Sequence, residues 1–212
     1  MTARMYDISP PISPRVAVFP GDTPFSRRVA LDIARGDRIS LSALSSTLHL
    51  GAHADAPSHY HRDGATIDRQ PLDLYVGPCH LLRVTVGRGR AVAVADLDGR
   101  LPEGTERLVI ATGSFPDPDR WSADFSALEP ALVDWLGERG VRLVVIDVPS
   151  VDPADSKDLP AHAACFRRGM AIIEGVVLDG VPEGRYELIA LPLRIEGGDA
   201  SPVRAVLRKL GG

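Results

Sequence analysis

Sulfur chemistry has little to work with in this chain. The two cysteines, Cys79 and Cys165, stand far apart and form no CxxC pair, which argues against a thiolate metal site and a disulfide framework. Long apolar runs are missing too: no stretch approaches the roughly 18 apolar residues that span a bilayer. The opening MTARMYDISPPISP lacks the apolar core of a secretory signal. The expectation is a cytoplasmic protein with no membrane partner. Lysine is nearly absent, Lys157 and Lys209 being the only two among 24 basic residues. The arginine clusters are short and read as solvated faces, and a net charge of −4 argues against a nucleic-acid partner. No GxSxG nucleophile elbow occurs, so a serine-hydrolase reading has no anchor.

The remaining composition is that of an ordinary globular protein. With 212 residues, 44% hydrophobic and 25% charged, the chain can bury one good core, so a single domain over residues 1–212 is expected. Residues 1–25 are rich in proline and read as extended edge segments joined by turns, with Gly21-Asp22 as one turn. Strand-like runs cover 27–33, 40–48, 81–86, 108–111, 143–148, 186–193 and 203–207. One helix is signalled by Leu128, Leu132, Trp135 and Leu136, with Ser126 and Glu129 as a capping box and Gly140 closing it. A second is expected over 161–168. Strands outnumber helices, which predicts a mixed α/β fold with much β structure.

Four of the six histidines fall within HLGAHADAPSHYH at 49–61: His49, His53, His59 and His61. Imidazole and carboxylate are the usual ligands of zinc, manganese or iron, and imidazole favours zinc. The spacing restricts how one ion can be shared. A helix sets His49 and His53 on one face, about 6 Å apart along its axis, and turns Asp55 elsewhere. A straight strand puts positions 49 and 55 roughly 20 Å apart, against metal–ligand bonds of about 2 Å. A shared ion therefore requires a bend, and Gly51 and Pro57 sit where one is needed, with Ala52, Ala54 and Ala56 allowing close approach. His162 and Glu174 form a weaker second cluster. By spacing alone they read as a helix-surface histidine and a strand-end charge. His80 reads as structural, and His61 and Tyr60 as residues at a pocket mouth.

HLGAHADAPSH resembles the HxGTHxDxPxH signature of the cyclase-like metal hydrolases, and within them the bacterial kynurenine formamidases. The likeness continues through YDISPPISP, VFPGDTP (18–24), PLDLYVGPC (71–79), DVPSVDPADSKDLPAH (147–162), IEGVVLDGV (173–181), YELIALPL (186–193) and DASPVRAVLR (199–208). It implies a swivelling β/β/α-type fold, a homodimer, and two divalent metal ions per subunit, usually Zn2+. By position His49, His53 and Asp55 hold one ion, and Asp55, His162 and Glu174 the other, with Asp55 bridging. His59 is then the acid/base residue, a role favoured over the alternative of a third histidine ligand on one ion. The implied reaction is hydrolysis of N-formyl-L-kynurenine to L-kynurenine and formate, with a cyclic amide such as isatin, or another aryl formamide, as the competing substrate class and a non-catalytic metal-binding protein as the remaining alternative. Two departures stand out. Ala52 replaces the signature threonine, removing a hydroxyl, and Phe19 stands where a substrate-contacting tryptophan is common, keeping an aromatic face but losing the indole N–H. The group that binds the substrate's amino-acid end is not singled out, though arginine is abundant.

Overall fold

The computed structural model describes residues 4–210. Among them a nine-stranded mixed sheet runs in the order β1 (Met5–Asp7), β11 (Val206–Lys209), β9 (Gly184–Ile189), β5 (Val76–Arg83), β6 (Arg107–Ala111), β7 (Leu143–Ile146), β8 (Ala171–Glu174), β4 (His53–Asp55) and β10 (Ala200–Pro202). The strands from β5 to β8 are parallel, and every other pairing in the sheet is antiparallel. A separate hairpin pairs β2 (Ser26–Leu31) with β3 (Leu41–Ser45). The helices are α1 (Pro57–Tyr60), α2 (Val94–Leu97), α3 (Pro130–Glu138) and α4 (Pro160–Arg168). This is the strand-rich mixed α/β architecture that the sequence predicts.

β7 is apolar at every position, and β6 and β8 at all but Arg107 and Glu174, because both faces of the sheet are covered there. Leu108, Ile110, Val144, Ile146 and Ile172 point to one side, where Leu132 and Leu136 of α3 and Ala161 and Cys165 of α4 pack on them. Val109, Val145 and Ile173 alternate to the other side, against Ile67, Leu74 and Leu178. The chain runs β6, α3, β7, α4, β8, so the two longer helices connect parallel strands and share one layer.

The start of α3 differs from expectation. Ser126 and Glu129 form no capping box: the helix begins at Pro130, whose fixed φ suits the first turn, and Ser126 Oγ donates instead to Gly87 O at 3.3 Å. Leu128 belongs to the approach, bonding Val151 O through its backbone, and not to the helix. The two C-terminal strands also differ. The run read as 203–207 is strand only from Val206, where β11 begins; 203–205 link it to β10, which forms one edge of the sheet while β11 lies one strand in from the other.

Candidate metal centre

Strand register brings the first residues together. β4 pairs with β8 so that His53 lies opposite Glu174, and paired residues project to the same face. Asp55, two residues on from His53, projects to that face as well. It is the face covered by α4, and α4 carries His162. His49 precedes the strand and returns to it through a bend at Gly51, whose φ of 57° lies in the left-handed region. Pro57 opens α1 directly after β4, and α1 presents His59. The bend inferred from the spacing is therefore present, with Gly51 and Pro57 at its two sides.

Asp55 is the centre of the cluster and is fully buried. Its Oδ1 faces His49 Nδ1 at 3.0 Å and His53 Nε2 at 3.5 Å; its Oδ2 faces His162 Nε2 at 3.3 Å. Glu174 closes the ring, with Oε2 3.4 Å from His53 Nε2 and Oε1 3.7 Å from His162 Nε2. The ligand atoms of His53, Asp55 and Glu174 lie within 4.8 Å of one another, and so do those of His49, Asp55 and His59. All five residues that the sequence names as ligands meet here, joined by His59.

The donor chemistry fits cations. His53 Nε2 is buried and has no hydrogen-bond partner. Such an orphaned atom is costly unless something else, a cation above all, satisfies it. The other ring nitrogens are taken. His53 Nδ1 donates to Gly51 O at 2.9 Å, and His49 Nε2 meets Asp199 Oδ2 at 3.1 Å. His162 Nδ1 donates to Asp152 Oδ2 at 2.7 Å. Outer partners of this kind fix which nitrogen keeps a lone pair for a metal.

Electrostatics without a cation point the same way. Burial lowers the pKa of His49, but its bonds to Asp55 and Asp199 outweigh that and push it up to about 9. Burial likewise opposes the charging of His162, and Asp152, Asp55 and Glu174 outweigh it, to about 10. Burial would raise Asp55, but hydrogen bonds from His162 and His49 hold it well below the usual carboxylate range. Glu174 is raised, by burial first and then by the charge of Asp55. The buried carboxylates thus draw protons onto the imidazoles, which supply the positive charge that a metal ion would bring. His59 goes the other way. Burial, reinforced by the charges of His49 and His162, lowers it, which keeps its ring neutral near pH 7.

A cavity of about 480 Å³ opens onto the cluster and is lined by His59, Phe19, Trp121, Asp147, Ser150 and Leu159 among others. Phe19 is exposed and meets Trp121 edge-on at 5.0 Å, so it belongs to the cavity wall and not to the core. No arginine or lysine lines the cavity among the described residues, so the guess of an arginine at the substrate's amino-acid end finds no support. Tyr60 and His61 are not at the mouth. Tyr60 packs on the His162 ring at 5.0 Å, and His61 stacks on Phe166 at 3.6 Å. His80 bonds Thr105 Oγ1 at 2.9 Å, away from the centre. Sequence reasoning missed Asp152, Asp199 and Trp121. Asp152 carries a signal in retrospect, being a carboxylate ahead of a proline-started helix. Asp199 has only its place in the DASPVRAVLR stretch.

The Cyclase family model matches residues 6–153. The chain belongs to the cyclase family. A kynurenine formamidase of Maricaulis maris is 46% identical over 208 residues, which cover 98% of this chain and 99% of that protein. Among solved structures, a predicted metal-dependent hydrolase from Bacillus stearothermophilus superposes with a TM-score of 0.83 at 29% identity, covering 98% of this chain and 99% of that one. An isatin hydrolase A from Ralstonia solanacearum shares the fold, with a TM-score of 0.81 at 23% identity over 98% of this chain and 92% of that one. This cyclase-family chain keeps the resemblance to formamidases along almost its whole length, not only at the histidine signature.

Proposed function

We propose that this chain is an arylformamidase that hydrolyses N-formyl-L-kynurenine to L-kynurenine and formate. The 46% identity to a kynurenine formamidase, spread over 98% of the chain, carries this reading. A metal-dependent enzyme is supported by the buried donor set and by the relatives described as metal-dependent hydrolases. We assign two divalent ions, zinc by the preference of imidazole donors. His49, His53 and Asp55 would hold one, and Asp55, His162 and Glu174 the other. The two oxygens of Asp55 face different histidines, which supports its sharing between the two sites.

An amide is a poor electrophile and water a poor nucleophile at neutral pH. Bound divalent ions lower the pKa of water and polarise the formyl oxygen. The protein supplies the rest. Phe19 and Trp121 form an aromatic wall against which the aryl ring of the substrate lies. His59, neutral and a third exposed to the cavity, takes a proton from the attacking water and returns it to the aniline nitrogen as the C–N bond breaks. Asp199 Oδ2, 3.8 Å from His59 Nδ1 and 3.1 Å from His49 Nε2, brackets the two rings. Without that returned proton, the leaving group is an anilide anion, which departs poorly.

The protein acts as a homodimer in this reading. The hairpin of β2 and β3 supports it: Ile33, Ile39, Leu41 and Leu44 are all more than half exposed there. A lone two-stranded hairpin is marginal in water, and a second copy gives it cover. Free, buried Cys79 and Cys165 suit the reducing cytoplasm. The deciding assay offers the purified protein N-formyl-L-kynurenine and isatin side by side. Preferred turnover of the formyl anilide is expected; a large preference for isatin rejects the assignment.

A further inference from the structure

Helix α4 begins without a cap of its own. Leu159, at the cap position, has a φ of 45° and offers no side-chain hydrogen bond. The free N–H groups of the first turn are satisfied from a loop seven residues upstream. Asp152, fully buried, accepts from Ala161 N at 2.9 Å and from His162 N at 3.0 Å. The same Oδ2 that takes the His162 amide also takes the His162 ring proton at 2.7 Å. Ser150 Oγ, in turn, accepts from Asp152 N at 3.2 Å, fixing the loop.

This arrangement bears on which nitrogen keeps the single proton once the His162 ring is neutral, as binding a cation requires. Two carboxylates compete for that proton: Asp152 at Nδ1, and Asp55 at Nε2 from 3.3 Å. If Asp55 wins, Nε2 carries the proton and cannot bind a cation. Asp152 has the shorter contact, and its oxygens are already oriented by the helix N–H groups, as its burial requires. We propose that Asp152 is the positioning residue for His162, holding the ring in the Nδ1–H tautomer so that the Nε2 lone pair faces Asp55 and Glu174. Capping the helix and presenting the ligand are then one structural act: α4 cannot dock without aiming His162.

The proposal rests on the assignment of His162 as a ligand, and the test separates the two. Zinc is titrated into metal-free wild type, Asp152→Asn, His162→Ala and the double variant, against a chromophoric chelator. Asp152→Asn keeps the side-chain volume but places an amide group where a carboxylate oxygen accepted. It is expected to weaken one zinc equivalent 10–100-fold, the range for outer-shell partners. In the His162→Ala background the same change is expected to do nothing further. If Asp152→Asn lowers the thermal midpoint of the metal-free protein but leaves zinc affinity unchanged, Asp152 is only a cap and the proposal is overturned. If His162→Ala binds two equivalents as tightly as wild type, the ligand assignment fails, and this inference with it. A measurement on the zinc-loaded wild type is independent of variant folding: nitrogen-15 NMR of the imidazoles is expected to show His162 protonated at Nδ1, and a proton on Nε2 contradicts the proposal.

Discussion

The rings of His49 and His59 lie 4.1 Å apart, tilted at 45°, yet their surroundings pull them in opposite directions. His49 is gripped at both nitrogens by Asp55 and Asp199, while burial keeps His59 neutral. That difference is what the proposed roles of His49 as ligand and His59 as proton carrier require. A His59→Ala variant is therefore expected to keep both ions and lose about 10²–10⁴-fold in kcat, the usual worth of general acid–base catalysis. Loss of one ion, measured by metal analysis, makes His59 a ligand instead. A second expectation concerns the metal-free protein. The folded pKa values of His49 and His162, about 9 and about 10, lie above the ordinary 6.5. Their protons then stabilise the fold fully below about pH 6.5, and that stability is lost as pH climbs through 9–10. Thermal midpoints of the metal-free protein should fall across this window, while zinc affinity rises because binding expels the same protons. A flat profile contradicts the cluster's electrostatics. At this scale His49, His53 and Asp55 stood out in the sequence as candidate ligands, since four histidines in thirteen residues are rare, while His162 and Glu174 entered only through the resemblance. Asp152 and Asp199 were not legible: they are two among 28 acidic residues, and only the fold selects them.

At the level of elements, the centre depends on how β8 leaves the sheet beside the loop before β4. Gly175 has a φ of 68°, and a Cβ there would stand 2.2 Å from Gly51 O. Gly175→Ala is expected to cost about 1–2 kcal/mol from the left-handed backbone alone. The clash adds to this, and it displaces the bend that places His49. Denaturant unfolding and zinc titration together check this; unchanged values in both show that the loop and strand are not coupled. The bend itself was readable, because a straight strand cannot bring positions 49 and 55 to one ion. The start of α3 was misread because Ser126 and Glu129 satisfy a capping pattern by spacing, while Pro130 is the residue that can start the helix. The break between β10 and β11 was hidden because apolar and polar residues are mixed along 200–209 without a turn signal, while its two ends pair towards opposite sides of the sheet.

For the molecule as a whole, the site lies where the parallel strands end: Glu174 is the last residue of β8, and Asp147 follows β7 directly. Open α/β sheets place ligands at such carboxyl ends. The strand order behind this geometry was not legible, because periodicity marks strands without naming their neighbours. The fold class came from the balance of strands and helices, and the distant pairing of residues near 50 with those near 170 came from the resemblance. The exposed hairpin yields an expectation at this scale too. Leu44, 72% exposed, changed to Glu should convert a dimer to monomers in light scattering, with turnover measured alongside. A monomeric wild type rejects the dimer.

The most direct test of the account is metal content read together with activity, before and after chelation and again after zinc is returned. The prediction is two zinc ions per chain, formylkynurenine hydrolysis lost as they are removed, and hydrolysis restored as they return. Full turnover by protein stripped of metal contradicts it.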